Sequence, residues 1–230
     1  MSSPDAQLSV GVLVSKVLGT CLIGLAFLVK FPQILKIIRS GSAEGLSLSA
    51  AVLELFAMTS SVCYNFAQGY PFTAWGDTFF VGMQNVAIVY LIFLFRGQMS
   101  EGTLFVAVYL LVLWFLAGSG LVPLWVLATY QMCNVPLILS GKMTQAATNV
   151  RNGHTGQLSL VTISILMLGS LARVFTTLKE TGDTLVTVTY AISSFANCLL
   201  FLQVLYYWDA TQRRINHSRS SSGSQNTKGL

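Results

Sequence analysis

Long apolar runs alternate with short polar stretches along this chain, and most runs have the length of a membrane-crossing helix. About 20 mostly apolar residues, rising 1.5 Å each, cross roughly 30 Å of hydrocarbon. The runs Val10 to Val29, Leu46 to Phe66, Trp75 to Phe95, Thr103 to Ala117, Pro123 to Ser140, Leu158 to Leu178 and Thr184 to Trp208 predict seven spans, the fourth of them with the shortest apolar run. Between Glu101 and Lys142 there is no charged residue. One helix over that stretch would reach about 60 Å, twice the hydrocarbon thickness. It therefore divides in two, where Gly118, Ser119 and Gly120 stop a helix and Pro123 suits the first turn of the next.

Composition excludes a water-soluble reading of the same pattern. Charged residues make up 9% of the 230-residue chain and apolar ones 53%. A soluble domain carries about 25% charged residues, so most of this surface must face lipid. The formal charge of +5 comes from scattered basic residues that form no stripe, which argues against nucleic acid as a partner. Their sorting follows topology instead. With seven spans and a lumenal N-terminus, Lys36, Arg39, Arg96, Lys142, Arg151, Arg213, Arg214, Arg219 and Lys228 fall on the cytoplasmic side and Lys179 alone on the other, as the positive-inside rule expects. Lys16, Lys30 and Arg173 fall within spans. No cleavable signal peptide is expected, because the polar start at Met1 to Leu8 has no basic region. The tail from Ala210 to Leu230 is expected to be a disordered cytosolic extension, and its sequon at Asn216 is expected to stay unmodified there. Cys21, Cys63, Cys133 and Cys198 lie inside apolar runs and read as small buried hydrophobes.

The chain also repeats itself weakly. Lys30-Phe31-Pro32-Gln33 precedes SAEGLSL at residues 42–48, and Asn134-Val135-Pro136 precedes HTGQLSL at residues 154–160. In each copy a further span follows. The fold expected is all-α: seven transmembrane helices arranged as two parallel three-helix bundles joined by a linker helix. The boundaries run as a lumenal tail 1–9, a first bundle 10–95, a linker helix with its loops 96–122, a second bundle 123–209, and the tail 210–230.

The Pro32-Gln33 pair and this duplication resemble the PQ-loop family. The second copy departs from its pattern, with Leu137 where a glutamine would stand. The strings KFPQILKIIRSGSAEGLSLSAAVLELFA, YPFTAWGD, QAATNVRNGHTGQLS and GSLARVFTTLKETGD are similar to the branch of that family serving dolichol-phosphate mannose utilisation, over roughly Lys16 to Trp208. The resemblance implies a multi-pass protein of the endoplasmic reticulum membrane, needed for using dolichol-phosphate mannose and dolichol-phosphate glucose in N-glycan and GPI-anchor assembly. Dolichol-phosphate sugars and other membrane lipid are the implied partners, with lumenal glycosyltransferases beside them. It also implies a polar pocket for cargo, to which Asn134 and Asn197 are the assigned candidates.

Several residues in the spans carry possible mechanism. Pro32 and Pro136 occupy matching places, and each removes a backbone hydrogen bond, freeing the carbonyls of Leu28 and Met132. They read either as paired hinges or as static kinks. Glu54 is a carboxylate at membrane depth and is expected to face the interior; Lys30 is its leading partner, with snorkelling toward the interface as the competing reading. Arg173 suits either an anion or a structural pair with Asp77 or Glu180. Asp77 and Trp75 read as anchors at the start of a span. The amides Gln84, Asn85, Gln131, Asn134, Asn197 and Gln203 either line a pocket or join helices. No metal or cofactor spacing and no catalytic motif occurs, so an enzyme is not expected. Two functions compete: presentation or movement of dolichol-linked donors, and secondary transport of a small solute with Glu54 as a possible proton carrier.

Overall fold

The computed structural model describes residues 4–155 and 160–213. Among them every regular element is helical: α1 Pro4–Val29, α2 Phe31–Ser40, α3 Leu48–Ala67, α4 Gly76–Phe95, α5 Met99–Leu113, α6 Leu124–Met132, α7 Asn134–Asn152, α8 Leu160–Glu180 and α9 Thr184–Tyr206. A 3-10 turn covers Phe72–Ala74, and a π-helical segment, Trp114–Gly118, prolongs α5. Seven stretches are long and apolar enough to cross a membrane, from Val10–Ser40 through Thr184–Tyr206, so the protein is a multi-pass membrane protein. The predicted breaks appear where glycine permits a left-handed backbone, with Gly120 at φ 67° before Pro123.

Two spans are longer than hydropathy alone indicates. The first continues past Pro32 as α2, and the fifth continues past Pro136 to Asn152. Lys36, Arg39, Lys142 and Arg151 therefore sit on helices, not in loops as expected. The reason is local: proline is tolerated in the first turn of a helix, where its missing amide proton has no partner in any case. Pro32 holds that place in α2. Helical backbone also covers residues 208–213. The rest of the polar tail, 214–230 with its sequon at Asn216, and the Leu158-Ser159 part of the second Leu-Ser-Leu lie outside the described residues.

The chain divides into two compact units, Met1–Asn134 with Phe175–Thr187, and Val135–Val174 with Val188–Leu230. In the first unit, Ile37 of α2, Ala51 of α3 and Ile88, Val89 and Ile92 of α4 form the main apolar cluster. Phe72, Trp75, Phe79 and Phe80 stack edge to face near the α3–α4 connection. Trp75, expected as an anchor at the interface, is buried in this knot and donates its indole N–H to the Tyr70 carbonyl at 3.1 Å. In the second unit Ala146, Ile163, Leu200 and Val204 cluster. Beside them Lys142 donates to the Ser193 carbonyl and hydroxyl, and Gln203 accepts from Asn149 and donates to the Ala146 carbonyl.

Burial runs opposite to that of a soluble protein. Leu28, Leu104 and Phe195 are more than 60% exposed, while Ser15, Asn65 and Asn85 are at most 1% exposed. Lipid solvates the outer leucines and offers nothing to polar groups, which turn inward to find partners. Cysteine follows the same logic. Cys63 is buried as expected, but Cys21 and Cys133 are exposed, since a small thiol is as compatible with lipid as with a packed core.

Candidate functional site

The first unit gathers polar groups around the break between α1 and α2. That break falls at Lys30, two residues before Pro32, whose ring nitrogen has no proton for the Leu28 carbonyl. Lys30 is 9% exposed. Its ammonium donates to Glu54 Oε2 of α3 at 2.5 Å and to Asn85 Oδ1 of α4 at 3.1 Å. Asn85 in turn donates to the Ala51 carbonyl at 2.8 Å. Lys30 thus pairs with Glu54, as the sequence order of the spans suggested, and does not snorkel. The pair is lopsided: the Lys30 side chain is 11% exposed and the Glu54 side chain 45%, so the acid is not turned fully inward as expected.

Gln84, immediately before Asn85, does something the sequence did not reveal. Its side-chain amide donates to the Ala26 carbonyl at 2.9 Å, and its oxygen accepts from the Lys30 backbone N–H at 2.9 Å. Those two backbone groups would bond each other in an unbroken α-helix. The glutamine has entered the ladder and replaces the missing rung, a recognised cause of a kink. Gln33, of the Pro-Gln pair itself, is half-buried, and its side chain makes no hydrogen bond among the described residues.

The other predicted residues fall into separate clusters. Asn134, at the second break, donates to the Ala57 carbonyl, to Ser60 Oγ at 2.8 Å and to Gln131 Oε1 at 3.0 Å, all within the first unit. Asn197, in the second, donates to the Leu166 carbonyl and Ser170 Oγ at 3.0 Å each. Pro136 follows the break between α6 and α7 at Cys133, whose N–H still reaches the Thr129 carbonyl at 3.3 Å. Arg173 is buried within α8. Glu180, one of its two expected partners, accepts from Ser15 at 2.6 Å and from Thr73.

Sequence reasoning missed a second carboxylate in the turn between α8 and α9. Asp183 Oδ2 accepts from the hydroxyls of Tyr64 and Tyr70 at 2.7 Å each, while Oδ1 caps α9 through the Val186 N–H at 3.0 Å. Burial would raise its pKa, but the hydrogen bonds from Tyr70, Val186, Tyr64 and Leu185 outweigh that and hold it below the usual carboxylate range. Burial and the Asp183 charge push the Tyr70 hydroxyl up. An acid one residue before a helix is the available sequence signal. Its tyrosine partners lie more than a hundred residues away and could not be read.

A cavity of about 220 Å³ lies between α3, α4 and α5 of the first unit, lined by Met58, Val62, Phe79, Gly82, Met83 and Leu113 among others. Its polar groups, Thr59 and Tyr109, bond each other at 3.0 Å. Met83 and Leu110 at its edge are 56% and 55% exposed, so it opens at span depth.

These features define a polytopic helical membrane protein whose first copy of an internal repeat holds a kinked span and a buried charged node. Residues 14–74 match the family model of the PQ loop repeat, a segment that includes Lys30, Pro32 and Glu54. Over 193 residues the chain is 26% identical to solute carrier family 66 member 3 of Homo sapiens, covering 83% of this chain and 94% of that relative.

Proposed function

We propose that this protein serves the use of dolichol-phosphate mannose and dolichol-phosphate glucose in N-glycan and GPI-anchor assembly, moving or presenting the lipid-linked donor within the endoplasmic reticulum membrane. The long strings from Lys30 to Ala57 and from Gly169 to Asp183 carry this reading through their resemblance to the dolichol-phosphate mannose utilisation branch. The apolar cavity between α3, α4 and α5 supports it, because a cargo with a hydrocarbon tail needs an opening toward lipid and not only toward water. The role is not enzymatic: the protein holds the donor while lumenal transferases act on it. Its N-terminus is lumenal and its C-terminus cytosolic, a topology that acceptor sites placed at each end test directly. Cells lacking the protein keep dolichol-phosphate mannose synthesis yet accumulate truncated lipid-linked oligosaccharides. An unchanged oligosaccharide profile in such cells defeats the proposal.

A second reading is favoured by the Lys30–Glu54 pair and by similarity to a relative described as a solute carrier. In that reading the protein is a secondary transporter of a small solute, and Glu54 carries the coupled proton. Purified protein in proteoliposomes then shows uptake that depends on a proton gradient and is abolished by Glu54→Gln. Equal uptake by Glu54→Gln and the parent sinks this alternative.

A further inference from the structure

The broken rung of the first span is bridged by a side chain from another helix. At Lys30 the two backbone groups of one helical turn, the Ala26 carbonyl and the Lys30 N–H, are both taken by the amide of Gln84 on α4. Pro32 contributes separately, since it removes the rung from Leu28 regardless of what Gln84 does. The span therefore has two open rungs within one turn of each other: one permanent, at Leu28, and one that depends on a side chain, at Ala26.

We propose that Gln84 is a positioning residue for the first span, a removable latch that holds the α1–α2 bend by occupying the rung between Ala26 and Lys30. While the amide is inserted, those backbone groups cannot reach each other and the helix stays bent. When it withdraws, the Ala26 carbonyl and the Lys30 N–H are free to bond directly, and the segment up to Pro32 closes into a straighter helix. Both backbone groups keep a partner in either state, so withdrawal costs only the two hydrogen bonds of the Gln84 amide, and that cost is what holds the span bent. The neighbouring residue adds leverage. Asn85 holds the Lys30 ammonium together with Glu54, so one α4 turn grips both the backbone and the side chain of the residue at the bend. Withdrawal of Gln84 pulls on that grip. The device holds for any cargo and requires neither reading of the function.

Full-length protein in lipid nanodiscs tests this, with the four native cysteines replaced and nitroxide labels at Ile38 on α2 paired with Leu104 on α5 or Met83 on α4, all of them outward-facing. Eight residues beyond the bend form an arm of about 12 Å, and a kink of about 20° swings its end by about 4 Å. Gln84→Leu, similar in bulk and unable to bridge, shifts at least one of the two distance distributions by about that amount and protects the Lys30 amide from hydrogen exchange. Gln84→Asn, one methylene short, broadens the same distribution. Gln203→Leu, which removes an interhelical amide of the second unit, leaves both distances unchanged. A folded Gln84→Leu protein with parental distances overturns the proposal and reduces Gln84 to helix packing. Should Gln84→Leu not fold, Gln84→Asn decides the matter: a parental distribution there overturns the proposal equally.

Discussion

Replacing Glu54 with leucine removes the carboxylate that Lys30 contacts at 2.5 Å and leaves a nearly buried ammonium with Asn85 Oδ1, 3.1 Å away, as its remaining side-chain acceptor. Breaking a buried pair from one side costs about 3–5 kcal/mol, because the surviving charge is desolvated without compensation. The retained amide places this case near the lower end, about 3 kcal/mol. Lys30→Met strands the other partner, but the Glu54 side chain is 45% exposed and is not sealed from the surroundings. That change should cost only about 1 kcal/mol. Replacing both, as Lys30→Met with Glu54→Leu, removes the desolvation burden together with the attraction and should lie close to the parent. Thermal unfolding in detergent, followed by tryptophan fluorescence at fixed protein concentration, reads these as a fall of roughly 6–12 °C, roughly 2–4 °C and little change, at about 2–4 °C per kcal/mol for a chain of this size. The reasoning is refuted if Lys30→Met is as damaging as Glu54→Leu, or if the double variant simply adds the two losses, since either result removes the buried-ammonium argument.

Other expectations rest on separate features. A Cβ added at Gly19 would stand 2.6 Å from the Thr73 carbonyl oxygen, whereas one at Gly24 meets nothing within 4 Å. Gly19→Ala should therefore lose about 1–3 kcal/mol and Gly24→Ala none, by the same unfolding measurement. Asp183 has a depressed folded pKa relative to its ordinary value of 3.8. Its stabilisation is complete above that ordinary value and is lost as pH falls through the lower folded one, so acid titration of the unfolding temperature should show a loss that Asp183→Asn abolishes. Asp183→Asn should itself be less stable than the parent at neutral pH, by about 1 kcal/mol, because the hydrogen bonds from Tyr64 and Tyr70 lose their charge assistance. Filling the cavity with Gly82→Leu should cut photocrosslinking of an isoprenoid chain probe to α3–α5 peptides several-fold; unchanged crosslinking shows that the probe reports general lipid contact.

The spans were legible because they answer to one variable, the cost of exposing a backbone or a charge to hydrocarbon. Their number holds in the structure for that reason. The two long spans were misjudged at their ends because hydropathy falls off past Pro32 and Pro136 while helical backbone does not; Lys36 and Arg39 are compatible with a helix leaving the membrane. The Lys30–Glu54 contact was legible since both residues lie near the same end of consecutive spans. Gln84 was visible only as one amide among six. Nothing in its sequence surroundings says that its two hydrogen-bonding atoms face the Ala26 carbonyl and the Lys30 N–H, because that depends on the rotation of α4 against α1. The tyrosine pair on Asp183 was hidden by sequence distance, and the cavity by the absence of any sequence signature for empty space.

The two copies of the repeat differ in a way that bears on what the charged node is for. Aligning Leu46-Ser47-Leu48 with Leu158-Ser159-Leu160 places Leu166 where Glu54 stands, and Asn134 stands where Lys30 does. The second copy manages without the pair: Asn197 reaches the Leu166 carbonyl and Ser170, and Asn134 reaches Ser60 and the Ala57 carbonyl. Neutral amides are thus enough to brace a kinked span and its neighbours in this chain. An ion pair at membrane depth is the costlier solution, since both charges must leave water. Bracing alone therefore does not account for Lys30 and Glu54. What a charged pair adds beyond an amide is full charge, and its site beside the Gln84-filled rung puts that charge where the first span bends.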